Sequence, residues 1–232
     1  KNRDLRLQQT IRMGDYKRSD GSAAPPNFSY SSTGYHPIKY TLDSKVTDGV
    51  ARNDNSIPIL RYAEVLLNYA EAKAELGEFT ENDWNKTIKP LRQRAGIQNT
   101  SFPVTADGYL TATYFPEISD PGLLEIRRER SIELVLEGFR FDDLLRWKKG
   151  DLLEKPWEGL YVPAINVAYD LNEDGANDVA FVSELPANKE PGVVYVIVIN
   201  NITIRLSENT KGNLLWRSDE TKEWKDYKYY YP

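Results

Sequence analysis

The chain has 232 residues, 30 Lys and Arg against 35 Asp and Glu, a formal charge of −5, and 40% hydrophobic against 28% charged residues. This length can bury a substantial core in one large or two small domains, and the composition excludes disordered and collagenous classes. With no Cys and a single His, disulfides, thiolate metal sites, cysteine nucleophiles and histidine-based hydrolase centres fall away. The acidic balance gives no reason to expect nucleic acid or an anionic membrane surface as partner.

In chain order, Leu5-Arg6-Leu7-Gln8-Gln9-Thr10-Ile11 alternates enough to predict a strand. Residues 14–34 are rich in Gly, Ser, Asp and Pro and predict a long loop carrying Tyr16, Phe28 and Tyr30. A short strand over residues 35–42 follows, broken by Pro37. Ser56 as cap, Pro58 in the first turn and Gly77 as stop delimit a helix of about five turns, with Leu60, Ala63, Leu67, Ala70 and Ala74 at helical spacing. Thr80 and Asp83 open a second helix through Ala95 to Gly96, which Pro90 must kink or split. The pair reads as a helical hairpin of the tetratricopeptide kind, without a second copy. Asp120-Pro121 starts a third helix to Glu137, and residues 139–149 form a fourth, closed by Lys148, Lys149 and Gly150.

From Asp151 the texture becomes strands and turns. Residues 193–199 predict a strand covered on both faces, and Asn200-Asn201 predicts a hairpin into residues 202–206. Tyr227, Tyr229 and Tyr231 alternate like one face of a strand. The chain is therefore α+β with its helices in the middle, in three segments: 1–56, 57–150 and 151–232.

Two constellations could carry chemistry. Glu125, Glu129, Glu133 and Glu137 recur at i, i+4 steps on the third helix, and a pair such as Glu133 and Glu137 could serve as acid and base of a glycosidase. Arg127, Arg128, Arg130, Arg140 and Arg146 interleave with them, and apolar residues are scattered around the helix. A paired, buried Arg/Glu network is therefore the favoured reading. The second constellation is Asp170, Asn172, Asp174, Ala176 and Asp178, with Gly175 at the sharp turn. This is the ligand order of a calcium loop, but the twelfth position is Phe181 where a bidentate Glu is needed, and strands flank it. A structural calcium ion and an Asx-rich turn that binds nothing both remain open. His36 alone supports neither a metal site nor a triad.

Three stretches carry a family resemblance. They are Arg61-Tyr62-Ala63-Glu64-Val65-Leu66-Leu67-Asn68-Tyr69-Ala70-Glu71-Ala72, Ile88-Lys89-Pro90-Leu91-Arg92-Gln93-Arg94-Ala95-Gly96, and Ile126-Arg127-Arg128-Glu129-Arg130-Ser131-Ile132-Glu133-Leu134 continuing through Gly138-Phe139-Arg140-Phe141-Asp142-Asp143-Leu144-Leu145-Arg146-Trp147. With Asn2-Arg3-Asp4-Leu5-Arg6-Leu7 and Thr33-Gly34-Tyr35, they resemble the SusD/RagB type of nutrient-binding lipoprotein, in the family's order. The resemblance implies a mainly helical SusD-like fold, with tetratricopeptide-like pairs, irregular loops and a small β-hairpin region. It also implies a non-enzymatic outer-membrane lipoprotein at the cell surface, of the Bacteroidetes type. Such proteins bind oligosaccharide, or peptide in some members, and deliver it to a SusC-like TonB-dependent transporter. Family members are about twice as long and carry a lipidated Cys after a signal peptide, so the chain is expected to be a C-terminal portion whose membrane attachment is a lipid anchor outside it. The ligand is expected on the early-loop rings Tyr16, Phe28 and Tyr30, with Asp15, Arg18 or Asp20 supplying hydrogen bonds. A helical-repeat module that binds a protein or peptide is the alternative.

Overall fold

The recurrence of apolar and small residues at three- and four-residue steps in the middle third dictates helices, and the computed structural model places them there; it describes residues 4–14, 16–48, 54–200, 202–216 and 222–224. The expected strand face of Tyr227, Tyr229 and Tyr231 lies outside the described residues, as does Asn201. The chain divides into two units, one of Lys1–Leu7 with Ser56–Leu152, the other of Gln8–Asn55 with Leu153–Pro232.

The first unit is helical. Helix α1 (Arg6–Thr10), which begins at its edge, replaces the expected strand. Arg6 is buried against carboxylates of a distant helix, and this long-range pairing overrides the weak local alternation. Helix α2 (Tyr62–Glu75) turns Ala63, Leu67, Ala70 and Ala74 into the core. It starts five residues later than a cap at Ser56 predicts. Arg61 is extended, without a side-chain cap, and its guanidinium reaches Glu133 and Glu137, while Ile57, Ile59 and Leu60 are exposed and find no packing to sustain a helix. Gly77, in the left-handed region, stops α2 as expected, with Glu78 N donating to Lys73 O.

The second predicted helix is split into α3 (Glu81–Lys86) and α4 (Ile88–Arg94). Thr80 and Asp83 form the reciprocal capping box. The break falls at Thr87, three residues before Pro90, because the proline ring has no N–H and collides with the preceding turn. Helix α5 (Gly108–Thr113) follows, capped by Asp107. Helix α6 (Pro121–Glu133) is capped by Asp120 with Pro121 in its first turn, and packs on α2 through Ile126. It ends one turn short of Glu137. Leu136 and Gly138 both take positive φ, 63° and 89°, and turn the chain into α7 (Phe139–Arg146). Trp84, Ile88, Leu91 and Leu134 complete this core.

The second unit holds two small sheets among the described residues. Strands β1 (Glu158–Val162), β5 (Ile204–Leu206) and β6 (Gly212–Trp216) form one in the antiparallel order β1-β6-β5. Strands β2 (Val167–Tyr169), β3 (Val179–Val182) and β4 (Tyr195–Val198) form the other, with β2–β3 antiparallel and β3–β4 parallel. The apolar run at 193–199 is thus an edge strand with half-buried residues, not one covered on both faces. No β4–β5 hairpin forms, since the two strands belong to different sheets. Asn200 Oδ1 instead accepts from the N–H groups of Ile202, Thr203 and Ile204, which bends the chain from one sheet to the other. The expected strand at 35–42 reduces to a single bridge, Ile11 with Pro37, because proline offers no N–H to extend a ladder. Val162, Val179, Phe181, Ile199, Leu206 and Leu214 make the core of this unit. The early loop is pinned to β1, where Leu160 N donates to Thr33 O at 2.8 Å. Gly159 allows that approach, since a Cβ there would lie 2.3 Å from the Thr33 carbonyl oxygen.

Candidate functional site

The early loop is irregular but tied together by its own backbone. Arg12 N donates to His36 O at 2.9 Å and Ile38 N to Thr10 O at 2.8 Å, which lays Arg12 beside His36. Lys17 bridges Ala23 around Gly21, which takes φ 79°, and Ser19 N donates to Asp43 O. These ties close a cavity of about 430 Å³, with Arg12, Tyr16, Arg18, Tyr30, His36 and Asp43 in its wall.

Tyr30 is 74% exposed, with its ring tilted on that of His36 at 5.9 Å. The Tyr16 hydroxyl donates to Asp43, and the Arg12 guanidinium lies 5.5 Å from the centre of its ring. Burial, and then the bond to Asp43 and its charge, push the Tyr16 hydroxyl up to about 12, so it stays protonated and donating. Arg18 clamps Asp48 with two bonds of 2.8 and 2.6 Å. His36 Nδ1 accepts from the Asn27 N–H at 3.1 Å. Burial, reinforced by Arg12 and Arg18, pulls the imidazole down to about 4, so the ring is neutral near pH 7 and carries its proton on Nε2. The site therefore offers two ring faces, one of them open, and several fixed donors.

Of the expected ligand residues, Tyr16, Tyr30 and Arg18 line this one cavity. Phe28 does not join them. It packs edge-on against Phe181 at 6.0 Å and tilted against Tyr195 at 5.8 Å, at the margin of the sheet core. Asp20 accepts from the Ser22 N–H and hydroxyl at the turn, which hold its carboxyl down at about 2. Asp15 lies outside the described residues. Arg12 and Asp43 were missed, and His36 was set aside, because their meeting depends on the Ile11–Pro37 register; the only sequence signal was the cluster of Asp, Arg and Tyr around positions 12–20.

The carboxylates of α6 are committed to structure. Glu133 accepts from Arg61 and Arg94 at 2.5 Å and from Arg6 at 2.9 Å. Burial would push it up, but these three guanidinium groups outweigh it and hold the carboxyl at about 2. A glycosidase acid needs the opposite shift. Glu137 is bound bidentately by Arg61, Glu129 by Arg6 and Arg92, and Glu125 by Arg92 and Arg128. A second cluster joins Arg146 and Trp147 Nε1 to Glu71, and Arg130 to Asp143. Arg127 lies over the rings of Phe115 and Trp147, 5.2 and 4.8 Å from their centres.

The Asp-rich loop is the turn between β2 and β3. Asp170 accepts from the N–H groups of Asn172 and Gly175, Asn172 from Asp174, Asp174 from Ala176, and Asp178 from Leu171. Glu173 and Gly175 take positive φ. Among the described residues no three His, Cys, Asp or Glu side chains converge as a metal site. A cation would need the Asn172 amide oxygen and the Ala176 carbonyl alongside Asp170, Asp174 and Asp178.

Residues 2–232 match the model of the SusD family. The chain is 30% identical over 150 residues to SusD-like protein P38 of Formosa agariphila, which covers 63% of this chain and 27% of that protein. A crystal structure of a SusD-like protein from Bacteroides fragilis aligns over 97% of this chain and 35% of its own, with a TM-score of 0.54 and 21% identity. The chain thus spans about a third or less of the length of these relatives. The observed fold, mainly helical with small sheets, is SusD-like.

Proposed function

The chain belongs to the SusD family, and from that premise we propose that it is part of a cell-surface protein that binds oligosaccharide without catalysis and passes it to a SusC-like TonB-dependent outer-membrane transporter. A lipid anchor outside this chain would hold it to the outer membrane. No described helix is long and apolar enough to cross a membrane. The observation that carries the saccharide reading is the early-loop cavity. Tyr30 offers an open aromatic face of the kind sugar rings lie against, and the Tyr16 hydroxyl, Asp43, Arg12 and Arg18 stand in the same wall.

Tyr30→Ala in the full-length protein is expected to weaken glycan binding by about tenfold or more, as loss of a stacking ring does, with little change in stability because the ring is exposed. Calorimetry against oligosaccharides checks this, and unchanged affinity would remove Tyr30 from the site. The reading as a protein- or peptide-binding module has one observation in its favour. Tyr62, Val65, Tyr69 and Leu76 form an exposed stripe along α2 at steps of three, four and seven. Co-purification of a protein partner that Tyr62→Ser abolishes, without any response to sugars, would favour it.

A further inference from the structure

Two arginines in the cavity wall keep a buried donor without a hydrogen bond, Arg18 Nε lying 4.0 Å from Asp43 Oδ1. Arg12 Nε and Arg18 Nε are inaccessible to solvent and lack hydrogen-bond partners, a condition native proteins hold to a few groups per domain. Arg127 Nε shares it, but that guanidinium lies over the rings of Phe115 and Trp147 in the helical unit. Arg12 has in addition no carboxylate partner among the described residues. Its contacts are the Pro25 carbonyl, which accepts from Nη1 at 3.2 Å, and the face of Tyr16. The Arg18 side chain is only 8% exposed, whereas its counter-charges are at the rim, Asp48 at 54% and Asp43 at 40%. Arg18 is thus answered by Asp48, which lines the same wall as Asp43, whereas Arg12 is left without a carboxylate of its own among the described residues. The depression of His36 agrees, because both guanidinium groups act on it with the same sign as burial.

Resting on the saccharide reading of this cavity, we propose that it selects an anionic sugar. Arg12, through its Nη groups, takes the oxygens of a carboxylate or sulfate ester on a ring that lies against Tyr30. Both guanidinium groups are already oriented, Arg12 by Pro25 and Tyr16 and Arg18 by its two bonds to Asp48, so little ordering is left to binding. A neutral hydroxyl could accept one of these bonds but would leave the Arg12 charge unanswered. An oxyanion does both, and its bonds to guanidinium are charge-assisted.

The test uses the full-length protein and the ring resonance of His36, assigned with His36→Gln, at constant ionic strength. The probes are glucose, glucuronate, glucose 6-sulfate and inorganic sulfate. The expected result is that glucuronate or glucose 6-sulfate binds about tenfold tighter than glucose and raises the His36 titration midpoint by about one pH unit. Arg12→Gln is expected to erase that difference and Arg12→Lys to keep part of it. Whichever of the two acidic sugars responds identifies the substituent. Glucose binding as tightly as both acidic sugars, lost in Tyr30→Ala, would overturn the charge selection and leave the saccharide reading standing. Inorganic sulfate matching the acidic sugars, with no effect of Tyr30→Ala, would leave an anion pocket and overturn the sugar. No response to any probe would overturn both. Should Arg12→Gln fail to fold, the comparison of probes on the unaltered protein still decides.

Discussion

Glu129 illustrates what a single residue carries here. Its side chain is 1% exposed, and its two oxygens accept from Arg6 at 2.5 Å and Arg92 at 2.9 Å. Both cations come from elsewhere in the chain, one from α1 and one from α4. Glu129→Gln keeps the shape and removes the charge, leaving two guanidinium groups short of a partner. It is expected to cost about 3 kcal/mol or more, read as a lower denaturant midpoint at unchanged slope. A loss below about 1 kcal/mol would mean that the network behaves as a solvated surface. The four glutamates and their structural role were legible from their spacing. The identity of their partners was not: the interleaved Arg127, Arg130, Arg140 and Arg146 point elsewhere, and except for Arg128 with Glu125 the partners are Arg6, Arg61, Arg92 and Arg94. Successive residues on a helix face different directions, so a helix carboxylate is answered mainly by whatever packs against that face.

At the scale of elements, the β2–β3 turn is held by its own side chains. Asp170, Asn172, Asp174 and Asp178 already accept from the loop's own N–H groups, so the turn has its hydrogen bonds without a cation. The loop is accordingly expected to keep its shape in chelator, with protection of the Gly175 and Ala176 amides unchanged. The calcium reading makes the opposite prediction, a calorimetric binding heat lost in Asp174→Ala, and that outcome would establish it. Helix ends were the most legible part of the elements. Thr80, Asp120, Gly77 and Gly96 act where their chemistry places them, because caps and left-handed stops are settled within a few residues, whereas Ser56 caps no helix and α6 ends before Gly138. The strands were less so. Residues 202–206 joined a sheet other than the neighbouring one, and residues 35–42 found only one bridge.

For the whole molecule, the two units carry acid-sensitive groups with different ranges. His36, in the second unit, is pulled from 6.5 to about 4, and Glu133, in the first, from 4.5 to about 2. In both cases the unfolded chain binds the proton more readily, so stability is full above the unfolded value and is lost as pH falls. The second unit is expected to weaken between pH 6.5 and 4 and the helical unit between 4.5 and 2. Hydrogen exchange of core amides across this range checks the order, and His36→Gln should remove the first loss. Protection falling first around Leu67 and Trp84 would contradict it.

The sequence by itself determined the helical middle, most of its caps, the family and the structural fate of the Glu ladder. Each of these rests on periodicity or on chemistry confined to a few neighbouring residues. It also pointed to the early loop through Tyr16 and Tyr30. Only the tertiary structure separated Phe28 from them, brought Arg12 and His36 to the same wall, and left two arginine donors there without partners. The physical reason is the same in each case. Whether a ring packs or faces water, and whether a charge is answered, depends on the residue across the gap, and that residue is distant in the chain.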